Sequence, residues 1–98
     1  MALYGITAIR VDPNNNRITH ARWAQMDGAN NEWMGPQQVV EAHEVANRLV
    51  GGDIVYSIHG DTVGARARRV VFANGAEGFD TFKPQKHPGR TFRDLPGI

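Results

Sequence analysis

The stretch Pro36-Gln37-Gln38-Val39-Val40-Glu41-Ala42-His43-Glu44-Val45-Ala46-Asn47-Arg48-Leu49-Val50-Gly51-Gly52 decides how the fold is read. Pro36 stands where a helix can begin, since its missing N–H costs nothing at a first helical position. Advancing about 100° per residue puts Val39, Ala42, His43, Ala46, Leu49 and Val50 on one side, a stripe roughly 120° wide. Gln37, Glu41, Glu44 and Arg48 fall opposite, with Glu44 and Arg48 at the favourable spacing for an ion pair. Gly51-Gly52 supplies the stop, because glycine accepts the left-handed conformation at a helix end. The spacing predicts an amphipathic helix over Pro36–Val50 with one face to bury.

The sequence on either side says what that face buries against. Leu3–Val11 and Arg17–Gln25 are rich in branched and aromatic residues, and they flank the turn Asp12-Pro13-Asn14-Asn15-Asn16. Together they read as a β-hairpin. In the first strand Ile6 and Ala8 share one face while Thr7, Ile9 and Val11 share the other. Either both faces are covered or a bulge shifts the register. Residues 27–35 form a polar loop that carries Trp33 and Met34. Beyond the helix, Asp53–His59 alternates, Gly60–Gly64 turns, and Ala65–Ala73 joins Ala76–Phe82 through the hairpin signal Asn74-Gly75. Residues 83–98 contain Pro84, Pro88 and Pro96 and read as an extended surface tail, with a short helical turn near Thr91–Asp94 pinned by Phe92 and Leu95. The expected fold class is α+β in two layers, a five-stranded antiparallel sheet in the order ββαβββ with the helix on one face.

Composition bounds the rest. A chain of 98 residues makes one domain, here 1–98, with one modest core. Its 41% hydrophobic and 21% charged residues are ordinary for a globular protein. With no cysteine, a disulfide framework, a thiolate zinc site, an iron–sulfur cluster and a cysteine nucleophile are excluded. The opening residues lack the basic start and apolar run of a signal peptide, and no run approaches the roughly 20 apolar residues that cross a bilayer. The expectation is a cytoplasmic protein without a membrane partner. Charge is uneven: residues 1–61 hold four basic and seven acidic groups, residues 62–98 seven basic and three acidic, giving −3 and +4. Such asymmetry marks a surface for anions or lets two parts of one fold attract each other.

The ordered pieces Ile6-Thr7-Ala8-Ile9-Arg10, the Ile18-centred second strand, Trp33 before the helix, Gly52-Asp53-Ile54-Val55-Tyr56 and Leu95-Pro96 resemble a bacterial domain-of-unknown-function family of short α+β proteins. The resemblance covers most of the chain, although the helix and the polar loop before it are longer than that pattern. It implies a small bacterial protein and brings neither catalytic residues nor a function.

The chemistry-bearing residues read mostly as structural. His43 falls in the apolar stripe, where a packed ring is the simpler account than a ligand or base without a partner. His43-Glu44-Val45-Ala46-Asn47 lacks the second histidine of a zinc helix. His59-Gly60-Asp61 reads as a turn, with Asp61 bonding nearby backbone. Ser57 has no nucleophile elbow, and Gly51-Gly52 follows a helix where a phosphate loop would precede one. Neither an enzyme nor a cofactor or bound metal is expected. Arg66 and Arg68 share a strand face with Val70 and Phe72, while Arg69 points the other way; Lys83, Lys86, His87, Arg90 and Arg93 extend the basic track. Trp33 and Met34 either staple the helix entrance or offer an apolar patch.

The functional expectation is a non-enzymatic binding module whose partner is a protein, a second copy at an open sheet edge included. Trp33, Met34, Arg66, Arg68 and Arg69 are its candidate contacts. One alternative is nucleic-acid binding through Arg66, Arg68, Arg69 and the basic tail. The other is a small enzyme or metal site around His43, His59 and Asp61.

Overall fold

Val39 and Val40, the one adjacent pair among the four β-branched residues of the deciding stretch, lie in a strand and not in the helix. In the computed structural model, which describes residues 2–30, 32–82 and 90–98, the elements run β1 (Leu3–Val11), β2 (Ile18–Asp27), β3 (Glu32–Trp33), β4 (Gln38–Glu41), α1 (Ala42–Val50), β5 (Ile54–His59), β6 (Thr62–Val71) and β7 (Glu77–Thr81). A single 3-10 turn, Phe92–Asp94, follows. The strands form one seven-stranded sheet in the order β3-β2-β1-β5-β6-β7, with β4 also paired to β2. β1 and β5 are parallel and the other pairs antiparallel.

The five-stranded antiparallel sheet in the order ββαβββ is therefore corrected: the sheet is mixed, and β3 and β4 precede the helix. β4 pairs with His20–Trp23 of β2 and β3 with Met26 and Asp27, so together they satisfy the outer edge of that strand. A helix begun at Pro36 would leave that edge bare. From the edge the chain crosses through α1 to β5 in mid-sheet, the kind of connection that permits a parallel pair. The face that α1 buries is turned by roughly 50° from the expected stripe, toward Val45 and away from His43 and Val50. Ala42, Val45 and Ala46 are the buried helical residues, and His43 is exposed instead of packed. The helix packs chiefly against β7 and β6 and also touches β2 and β4, so both ends of the curved sheet meet on it.

Both alternatives for the first strand hold: Gly5 and Ala8 are buried on the face opposite Ile6 and Ile9, and the strand carries a bulge. The register shifts between the pairs Ile6–Trp23 and Ala8–Arg22, leaving Thr7 as the extra residue. Parity then changes, and Tyr4, Ile6, Ile9 and Val11 all reach one core with Trp23, Val45, Val55 and Phe79. Trp33 does not staple the helix entrance. It pairs with Met26 and crosses Gly5 of β1, where an added Cβ would stand 2.9 Å from the indole.

The expected short turn of the tail is present at Phe92–Asp94 with Phe92 and Leu95 buried as its pins, but the segment behind it joins the sheet instead of running free along the surface. Phe92 is fully buried, edge-on to Phe79 at 5.3 Å between ring centres. The Ile9 N–H donates to the Pro96 carbonyl (3.0 Å) and the Ile98 N–H to the Ile9 carbonyl (2.9 Å), so Gly97 lies parallel beside β1. Residues 83–89 of the expected tail, with Lys83, Lys86 and His87, lie outside the described residues.

Asp94 caps the 3-10 turn by accepting from the Thr91 N–H (2.9 Å) and the Thr91 hydroxyl (2.7 Å). These bonds, the backbone one foremost, hold its carboxyl below the ordinary aspartate range, because they favour the charged form. The folded state thus binds this proton less readily than the unfolded chain does. The cap's contribution is complete above the ordinary aspartate range and disappears as pH falls through the lowered value. Asp94→Asn is expected to give a shallower acid limb in a plot of melting temperature against pH. An unchanged limb would show that the cap adds nothing to acid stability.

Candidate functional site

Arg66, Arg68 and Arg69, singled out by the sequence, line one concavity of about 450 Å³ between the C-terminal end of α1 and β6. Alternation along β6 puts Ala65 and Ala67 inside and exposes Arg66 and Arg68. Arg69 pairs with Phe79 across the β6–β7 ladder and forms an ion pair with Glu77. Arg68 donates from Nε to the Thr81 carbonyl at 3.3 Å, and Arg66 has no ion pair among the described residues. Val50 and Phe82 form the apolar rim, exposed to 65% and 49% of their surfaces. The aromatic residue at the arginines is therefore Phe82, since Phe72 instead carries the Arg17 guanidinium 3.9 Å above its ring. Phe82 was missed although the Asn74-Gly75 hairpin carries it back beside Arg66, where its N–H donates to the Arg66 carbonyl at 2.7 Å.

The remaining candidates are dispersed. Met34 is exposed and donates its N–H to the Gln25 carbonyl, away from the arginine cavity. His20 and His43 line a concavity at the N-terminal end of α1, where His43 Nδ1 lies 3.6 Å from a Glu41 carboxylate oxygen. His59 is instead bonded to Ser57, and Asp61 sits exposed in the turn after β5. Among the described residues, no group of three or more histidine or acidic side chains is placed to hold a metal ion.

Ser57 and His59 look like a nucleophile and its base, at 2.9 Å from Oγ to Nε2. What the hydroxyl visibly does is structural. Ser57 Oγ accepts from the Ala65 N–H (2.8 Å), and its one hydrogen goes to the Arg90 carbonyl (3.1 Å) or to His59 Nε2 according to the imidazole tautomer. Ser57 is also wholly buried. The hydroxyl ties a bulge: the pairs Tyr56–Arg66 and Ile58–Val63 leave an extra residue in β6, and Ser57 with Arg90 captures the Ala65 N–H that the ladder misses. Asp94, whose carboxylate is engaged by Thr91, does not complete a triad.

Comparison with family models, curated proteins and solved structures returns no match for this chain. No helix among the described residues is long and apolar enough to cross a membrane.

Proposed function

We propose that the chain is a non-catalytic binding module whose contact surface is the cavity lined by Arg66, Arg68 and Arg69, and whose partner is a protein segment mixing acidic and apolar residues. One observation carries this reading: cationic side chains and the exposed apolar groups of Val50 and Phe82 border the same concavity. Guanidinium groups pair with carboxylates in a planar fork, and the apolar rim receives the neighbouring side chains. Single-stranded nucleic acid fits less well. Glu77 already neutralises Arg69, and the helix end brings partial negative charge to the same place. Among the described residues that leaves Arg66 and Arg68 at this cavity, a short track for phosphates. Pairing with a second copy at a sheet edge also draws less support, because the β4 and β7 sides both abut α1.

The test is fluorescence anisotropy with three labelled probes: a peptide alternating glutamate with leucine and phenylalanine, the same peptide with lysine for glutamate, and an oligonucleotide of about 12 bases. The acidic peptide is expected to bind, and Arg66→Glu with Arg68→Glu to weaken it about tenfold or more as two attractions become repulsions. Equal binding of both peptides, or tighter binding of the oligonucleotide, overturns the reading.

A further inference from the structure

A second and larger cavity, about 580 Å³, opens between α1, β4 and the β1–β2 hairpin, in the size range of small-molecule sites. Its floor holds Tyr4 and Trp23, stacked with ring centres 4.4 Å apart. Glu44 and Arg48 both line it. The helical spacing invites these two to pair, yet no ion pair joins them among the described residues. The Arg48 guanidinium stands instead 5.7 Å from the centre of the Tyr4 ring. An aromatic face supports a guanidinium and limits its rotamers while leaving its N–H groups free for an anion. Gln38 and Asn47 add amides at the rim, able to donate and accept.

The two charges decide what fits. A simple anion drawn to Arg48 meets repulsion from Glu44, and a simple cation drawn to Glu44 meets it from Arg48. A molecule carrying both signs satisfies both. One turn of helix separates the two Cβ atoms by about 5–6 Å, a span that a single small molecule bridges. We infer that this cavity binds a small zwitterion of the amino-acid type, with its carboxylate on Arg48, its ammonium on Glu44 and an apolar side chain against the Tyr4–Trp23 floor. The site shares no lining residue with the arginine cavity, so the inference stands or falls separately from the proposed function.

The experiment uses the full chain and amide chemical shifts. L-leucine and L-phenylalanine are titrated in parallel with their N-acetyl and C-amide derivatives, each of which lacks one charge. Saturable shifts at Glu44, Arg48 and the Trp23 indole are expected, with a Kd near about 1 mM or tighter. Blocking either charge should weaken binding about tenfold. Arg48→Gln should erase the preference for a free carboxylate, and Glu44→Gln the preference for a free ammonium. Both residues are exposed, and an unchanged circular dichroism spectrum checks the fold of each variant. Absent shifts, blocked derivatives that bind equally well, or variants that keep both preferences overturn the inference.

Discussion

Gly64→Ala is expected to lower the melting temperature by roughly 12–24 °C, the equivalent of about 3 kcal/mol in a domain of this size. A Cβ at Gly64 would stand 2.5 Å from the Arg90 carbonyl oxygen, 2.5 Å from Ser57 Oγ and 2.7 Å from the His59 ring. The first of these is backbone, which cannot swing aside as a side-chain end does. Relief requires moving the Arg90 segment outward, and that breaks the hydrogen bonds by which Ser57 and Arg90 satisfy the Ala65 N–H. The variant therefore suffers overpacking and a stranded buried donor together. Gly35→Ala is the control, since a Cβ there meets nothing within 4 Å, and its change should stay within about 0.5 kcal/mol. Equal melting points for the two variants would show that the bulge relaxes freely and is not held by Ser57.

What the sequence disclosed was local, and what it concealed needed distant partners. The turn at Asp12–Asn16 was legible because Asn16 tolerates its positive φ of 58°, and Asn74-Gly75 because Gly75 takes a φ of 86°. Alternation in β6 put Arg66 and Arg68 on one face, the face the structure exposes while it buries Ala65 and Ala67. Val39 misled because it fits the helical stripe as well as a strand; the open edge of β2 chooses between them, and that edge lies far away in sequence. The parallel β1–β5 pair was hidden for the same reason, since it exists only because α1 carries the chain from the β4 edge to mid-sheet. The shared face of Arg66 and Arg68 could be predicted, but Arg69, expected to point the other way, lines the same concavity, and Val50 of α1 joins them only through the tertiary fold. Arg48 shows the same limit: its helical spacing to Glu44 was evident, yet the two form no ion pair among the described residues, and the Tyr4 ring it meets instead comes from β1, far back in the sequence.

The most damaging single truncation is expected at Phe92. Phe92→Ala should cost roughly 3–5 kcal/mol, a large share of the about 5–15 kcal/mol that holds a domain of this kind together. The ring is fully buried among residues of the sheet and packs edge-on to Phe79, so its removal leaves a void the surrounding strands cannot close. Its backbone N–H also donates to the Thr81 hydroxyl at 3.2 Å, which fixes the 3-10 turn to β7. The consequence reaches beyond the ring because the segment behind it completes β1: Pro96 accepts from Ile9, and Ile98 donates back. Hydrogen exchange separates an emptied core from a released tail. If Phe92 anchors residues 90–98, the amides of Ile9, Ile98 and Ala65 should lose protection more than those of the β1–β2 ladder. Uniform loss across the sheet would show that the tail is held by its own backbone bonds, and Phe92→Leu, which keeps most of the apolar volume, should then protect Ile9 no better than alanine does.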